Sequence, residues 1–266
     1  MIRDITLGQY YPADSVLHRL DPRVKLCGTL LYVISLFLFQ SFTGYIVATA
    51  FLVSMIILSR VPVTFMLRGL KAIFILLIFT AVLNAFLTPG RELVSFYKFS
   101  ITIEGVRLAA FMVIRLIYLI VGSSIMTLTT TPSRLTDGLE KGLGWMKVIR
   151  VPVHEIAMMM SIALSFIPIL LEETDKIIKA QQARGADFES GNLIRRVKAL
   201  VPILVPLFVS AFRRANDLAL AMESRCYRGG EGRTKLHPLR YVARDYIAYA
   251  VLLVYLAAII IVGIYL

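Results

Sequence analysis

The sequence predicts an all-α polytopic membrane protein: about five transmembrane helices, and a charged cytoplasmic region with two long amphipathic helices that each end in an arginine. Three observations predict it. Hydrophobic residues make up 58% of the 266 residues and the mean hydropathy is +0.76, more than a soluble core of this size absorbs. Charged residues are only 17% and leave long apolar runs between them; a bilayer crossing needs roughly 20 such residues, at about 1.5 Å rise each across a core about 30 Å thick. Finally, the net charge of +12 is crowded into a few polar stretches, whose placement sets the orientation.

Residues 1–25 carry Arg3, Asp4 and Asp14 and no apolar run, so no cleaved signal peptide is expected there and the first apolar segment is expected to be a retained element. Leu26 to Ser59 is 34 residues without a charge, too long for one span, and Gln40, Ser41 and Gly44 mark a turn inside it. Two helices follow, 24–41 and 44–59. A third span is expected at 72–89 and a fourth at 108–131. The fourth contains Arg115, which costs about 2.5–3.5 kcal/mol at a helix centre and must either snorkel to the nearer surface or find a partner inside the bundle. The last 21 residues, 246–266, are uncharged and form the clearest span. The chain thus divides into N-terminal spans (1–133), a cytoplasmic or interfacial region (134–245) and a C-terminal span (246–266).

Two shorter apolar stretches, Ile156–Leu171 and Ala199–Phe212, contain Pro168, Pro202 and Pro206 and have charges at both ends. They read as buried or interfacial arms. With five crossings and a cytoplasmic N-terminus, 25 of the 29 Lys and Arg lie inside and the C-terminus lies outside. Seven crossings would move the basic residues of 172–198 to the outer face. Before the arms, Pro132 suits a helix start capped by Thr131 or Ser133, and Leu135, Leu139, Leu143 and Met146 fall on one face of a short surface helix.

The first arm continues past Pro168 as a charged helix with acid-first i,i+4 pairs, Glu172 to Lys176 and Asp175 to Lys179. Gly185 suits a left-handed stop, with Arg184 in the last turn. The second arm repeats the layout: Arg213 and Arg214 face Asp217, a helical run Leu218–Met222 follows, and Glu223-Ser224-Arg225-Cys226 ends it. The two arginines are 41 residues apart.

Little in the sequence supports catalysis. His18, His154 and His237 stand apart, Cys27 and Cys226 read as unpaired, and no metal-ligand, nucleophile or GxxxxGK[ST] pattern is present. No catalytic residue, metal or cofactor is expected, and no nucleic-acid partner. Gly229-Gly230-Glu231-Gly232-Arg233-Thr234 follows a helix and no strand, which favours a loop over a phosphate cradle. No Asp or Glu lies within the five spans, which argues against an ion-driven carrier.

Thr131-Pro132, Leu139, Val151-Pro152-Val153-His154-Glu155, Phe166-Ile167-Pro168, Glu173 and Ala180-Gln181-Gln182-Ala183-Arg184-Gly185 closely resemble the T component of energy-coupling factor transporters. The likeness extends through the second arm to Thr234. It implies the membrane scaffold of an ABC-type importer in a prokaryotic plasma membrane, joining two cytosolic ABC ATPases to a small membrane-embedded S component that captures a vitamin or metal. It also implies that the arginines of two Ala-Arg-Gly motifs, each ending a coupling helix, insert into grooves of the ATPases. Ala183-Arg184-Gly185 is an intact copy. Ser224-Arg225-Cys226 keeps only the arginine, and since cysteine enters a left-handed cap less readily than glycine, that helix is expected to run on to Gly229. Pro168, Glu173, Gln181 and Glu223 are the expected supporting residues, and Ala157, Ser161, Ala163, Ala211 and Ala215 the expected sites of close helix crossing. A conventional ABC permease with its own translocation path would need a polar cavity between spans. A membrane enzyme would need a catalytic cluster.

Overall fold

The structure, a computed structural model, describes residues 10–39, 41–96, 99–186, 188, 193–230, 236 and 238–265. In chain order it contains α1 (Pro22–Ser35), α2 (Phe42–Ser59), α3 (Val63–Leu87), a hairpin of β1 (Glu92–Phe96) and β2 (Phe99–Thr102), α4 (Ile103–Thr129), α5 (Pro132–Gly142), a 3-10 turn (Gly144–Ile149), α6 (Val153–Ala183), α7 (Leu193–Ser224) and α8 (Ala243–Tyr265). Helices dominate, as the all-α class requires. Among the described residues α2, α4, α6 and α8 are long and apolar enough to cross a bilayer, and α3 makes a fifth when its segments Val63–Lys71 and Ile73–Leu87, which meet at 62°, count as one span. Arg68 and Lys71 lie in the first segment, leaving the uncharged second one for the hydrocarbon.

The chain forms two compact units, one of Gly8–Gly142 with Leu239–Leu266, the other centred on Leu143–Pro238. The first is a helical bundle pinned by buried polar groups at its helix ends. Asp21 caps α1, its carboxylate accepting from the Arg23 N–H at 2.9 Å, with Pro22 in the first helical position. Asp245, buried in the first turn of α8, accepts from the Val242 N–H at 2.8 Å and the Asp21 N–H at 2.9 Å. One carboxylate therefore closes the start of α8 and ties it to the start of α1. Burial alone would raise the Asp21 pKa, but hydrogen bonds from the Arg23 guanidinium and backbone, with its charge, hold it below the ordinary value. Lys25 Nζ donates to the Thr129 carbonyl at 2.9 Å and to Thr130 Oγ1 at 3.2 Å, placing a cation on the orphan carbonyls that end α4. Upstream of α1, buried His18 sits between Ser15 Oγ (2.7 Å from Nδ1) and the Tyr11 carbonyl (3.0 Å from Nε2), and its burial lowers its pKa.

The bundle's core joins α1, α2, α4 and α8 through Tyr32, Leu36, Ala48, Leu52, Ile125, Tyr255 and Ile259. The Phe51 and Tyr255 rings stack at 4.1 Å, and the Tyr255 hydroxyl lies 2.7 Å from Ser35 Oγ, which itself donates to the Tyr32 carbonyl. Here the expected span 24–41 needs correction: α1 stops at Ser35 after 14 residues, roughly 21 Å, and continues as a turn in which Leu36 and Phe39 are buried. Irregular backbone at that depth needs hydrogen-bond partners. Arg115 supplies one, donating from Nη2 to the Phe39 carbonyl at 3.1 Å while its guanidinium lies over the Phe37 ring. Arg115 therefore faces inward and serves the early end of α1. Of the expected turn markers, Gln40 lies outside the described residues and Gly44 falls inside α2.

Other boundaries differ as well, beginning with α3, which starts at Val63 and not at the expected 72. The expected outer loop before the fourth span holds the hairpin, paired antiparallel from Glu92↔Thr102 to Phe96↔Phe99 with an irregularity between Glu92 and Val94. Its strand turns directly into α4, because Thr102 Oγ1 accepts from the Gly105 N–H at 3.0 Å and donates to the Thr88 carbonyl at 2.7 Å. So α4 starts at Ile103, before the expected 108. α5 starts at Pro132 as expected but ends at Gly142; with Gly144 also breaking the helix, Leu143 and Met146 fall outside its apolar face.

Candidate functional site

The second unit is built on two long helices, α6 with 31 residues and α7 with 32. Pro168 lies inside α6, and Pro202 and Pro206 inside α7, and neither helix breaks at them. Each interior proline lacks the N–H that the carbonyl four residues earlier would accept. For Pro206 of α7 that carbonyl belongs to Pro202, and Gln181 of α6 donates to it from Nε2 at 3.3 Å. A second bridge joins Glu173 Oε2 to Arg214 Nη2 at 3.6 Å. Residue numbers fall on one helix as they rise on the other, so the arms run antiparallel. Beyond α7 the chain passes the start of α6, where a Cβ on Gly230 would run into the His154 imidazole.

The ends of the arms share one geometry. At the end of α6, Gly185 has φ +85, its N–H donates to the Gln182 carbonyl at 2.9 Å, and the Ala186 N–H donates to the Gln181 carbonyl at 3.0 Å. This pair of bonds is the Schellman termination, with Arg184 as the cap residue. At the end of α7, Cys226 has φ +54, its N–H donates to the Glu223 carbonyl at 2.8 Å, and the Tyr227 N–H donates to the Met222 carbonyl at 3.0 Å. The bonds match one for one, with Arg225 at the position of Arg184. The expectation that α7 runs on to Gly229 is thus corrected: the helix stops at Ser224, and cysteine occupies the left-handed position at a cost of about 1–2 kcal/mol. Both arginines are exposed, as are Ala183, Gly185, Ser224 and Cys226. Because the arms are antiparallel, the two tips lie at opposite ends of the pair, on the order of 30 Å apart along a helix axis at about 1.5 Å per residue.

The supporting residues divide. Gln181 and Glu173 bridge the arms, while Pro168 and Glu223 are exposed and act on their own helices, Glu223 through its carbonyl in the α7 cap. The i,i+4 pairs expected within the arms form no ion pair among the described residues. Instead Glu173 reaches Arg214 across the arms. Of the five small residues expected at the crossing, Ala157 is buried, whereas Ser161, Ala163 and Ala215 are exposed. The role of Arg214 and the use of the Pro202 carbonyl were missed. The signal for the latter is the spacing itself, because a proline four residues after any helical residue orphans that residue's carbonyl.

The family profile described as CbiQ, cobalt transport protein, matches residues 13–236. Curated relatives bear the name energy-coupling factor transporter transmembrane protein EcfT. One from Clostridium kluyveri is 57% identical over 250 residues, 93% of each chain, and one from Thermosediminibacter oceani 53% identical over 248 residues, 93% of this chain and 94% of its own. One from Lactococcus lactis is 44% identical over 245 residues, 92% of each chain. The chain belongs to the energy-coupling factor T component family. As a T component it is a multi-pass membrane subunit of a transporter, and by family a non-catalytic one. Both arms lie within the matched region, as do both arginine tips.

Proposed function

We propose that this T component is the scaffold through which two cytosolic ATPases drive uptake of a vitamin or other micronutrient by a small substrate-binding S component. The observation that carries the proposal is the pair of matching tips: two long antiparallel helices, each ended by the same hydrogen-bonded turn, each presenting an exposed arginine. Arginine suits the task because its planar fork pairs carboxylates and carbonyls while its stem packs in a groove. Seated at opposite ends of one bridged pair, Arg184 and Arg225 each engage a different ATPase, and closure of the ATPase dimer on ATP moves the arms as a lever. The Gln181 and Glu173 bridges transmit that movement from one arm to the other.

In this reading α1 together with the turn that follows it makes the first crossing, and α2, α3, α4 and α8 the other four, so the N-terminus, the loop before α3 and residues 134–245 are cytoplasmic and the C-terminus is external, which keeps most Lys and Arg inside. α6 satisfies the length and hydropathy of a span. Its charged second half, followed by the basic start of α7, keeps it at the cytoplasmic face as an arm. Affinity purification of the detergent-solubilised chain from its native membranes, with mass spectrometry of what stays bound, tests the proposal. Two different P-loop ATPases and a small, very apolar membrane protein are expected. A chain that comes down alone, or as a homodimer with a single kind of ATPase, contradicts it.

A further inference from the structure

Between α5 and α6 lies a short turn that the arm mechanism leaves unused. Gly144–Ile149 forms a 3-10 helix, in which residues three apart eclipse one another. Trp145 and Val148 therefore share an edge, and they are 64% and 88% exposed, with Ile149 beside them at 64%. The turn is held open in this shape by its own backbone: the Met146 N–H donates to the Leu143 carbonyl at 2.9 Å, the Val151 N–H donates to the Met146 carbonyl at 3.3 Å, and Arg150 takes φ +61 between them. A left-handed backbone is costly for arginine, and here it accompanies a turn that leaves three apolar side chains exposed. From Leu143 to His154 the sequence holds Lys147 and Arg150 and no acid.

We infer that Trp145, Val148 and Ile149 form a wedge that inserts into the headgroup–acyl boundary of a bilayer carrying anionic phospholipids. Indole is amphipathic and concentrates at that depth, and the adjoining cations match anionic headgroups. The wedge covers an area on the order of 500 Å², below the roughly 800 Å² per partner that a stable protein interface buries. Only residues 130–143, most of them in the eleven-residue α5, separate it in the chain from α4, a helix long enough to cross the membrane. The inference goes beyond the coupling role and holds whether or not the arms bind ATPases.

Trp145 is the sole tryptophan of the chain, so its fluorescence reports the wedge directly. The full chain is reconstituted without other subunits into vesicles of phosphatidylcholine and phosphatidylglycerol whose acyl chains carry bromine either near the headgroup or near the methyl end. The inference predicts blue-shifted emission that loses most of its intensity to bromine near the headgroup, and less of it to bromine near the methyl end. Replacing phosphatidylglycerol by phosphatidylcholine should weaken the quenching. In the double variant V148D/I149D, which leaves the indole in place, the emission should move to the red and the quenching should fall. Emission typical of water and untouched by either bromolipid overturns the inference. So does quenching that is deepest at the methyl end, or that is indifferent to the anionic lipid. An indole shielded only after a second membrane protein is added would show a protein-binding surface instead, and also overturns it.

Discussion

The two arm tips differ at both residues that flank the arginine, and the backbone ignores the difference. At Gly185 the left-handed position holds the residue with no steric objection to it; at Cys226 it holds one that pays for the same turn in strain. Yet both tips form the same two hydrogen bonds and leave the arginine at the same place in the cap. What the tips have in common is the termination and the arginine, and glycine is one way to reach it. The second tip stores about 1–2 kcal/mol of backbone strain that the first does not.

Charge reversal probes that equivalence most strongly. Arg184→Glu or Arg225→Glu should each leave membrane insertion intact and weaken ATPase association by about 2 kcal/mol or more, roughly 30-fold, as for a buried arginine anchor. Binding assays with detergent-purified subunits would show it, and an effect confined to one variant would break the symmetry. Exchanging the left-handed residues should be milder and unequal. Gly185→Cys should cost about 1 kcal/mol, whereas Cys226→Gly should gain only about 0.5 kcal/mol, because glycine's greater freedom in the unfolded chain offsets part of the relief. Hydrogen exchange at the amides of Ala186 and Tyr227, which close the two turns, gives both numbers; a loss at Cys226→Gly would contradict the strain argument.

Gln181→Leu should weaken the contact between the arms by about 1 kcal/mol, the worth of one hydrogen bond, read from the distance distribution between spin labels on α6 and α7. In a Pro206→Ala background position 206 regains its N–H, the Pro202 carbonyl has a partner within its own helix, and Gln181→Leu should then cost much less. Equal costs in both backgrounds would refute the assigned role. The smallest effect separates the bundle from the tips. Burial lowers the folded pKa of His18, so the unfolded chain takes up its proton first as pH falls below about 6.5. The stability His18 contributes is complete above that pH and declines as pH drops toward the lowered folded value. The bundle's melting temperature should fall over that window in wild type and less in His18→Gln.

Hydropathy made α2, α3, α4 and α8 legible as long apolar helices, because apolar run length is a property of sequence alone; it misjudged α1, which falls short of a span, and α6, which reaches the length and hydropathy of one. The arginine tips were legible as motifs. Their hydrogen bonds were not: nothing in Ser224-Arg225-Cys226 signals that tertiary context forces cysteine into a left-handed turn. The early end of α1 was also hidden, since its cause is a partner 76 positions away, Arg115 on the Phe39 carbonyl. The hairpin left a signal that was passed over. Leu93, Val94, Phe96, Phe99, Ile101 and Thr102 are strand formers in a segment read only for its charges. Asp245, counted simply as the last charge before a span, proved to be the group that joins two helix starts.

The most direct test of the central claim is photo-crosslinking from the tips. With a photoreactive amino acid at position 183 or 224 in the assembled transporter, each next to one cap arginine, the account predicts that each site yields an adduct with an ATPase and that the two ATPases are different. Adducts of both sites with one and the same ATPase, or with neither, would contradict it.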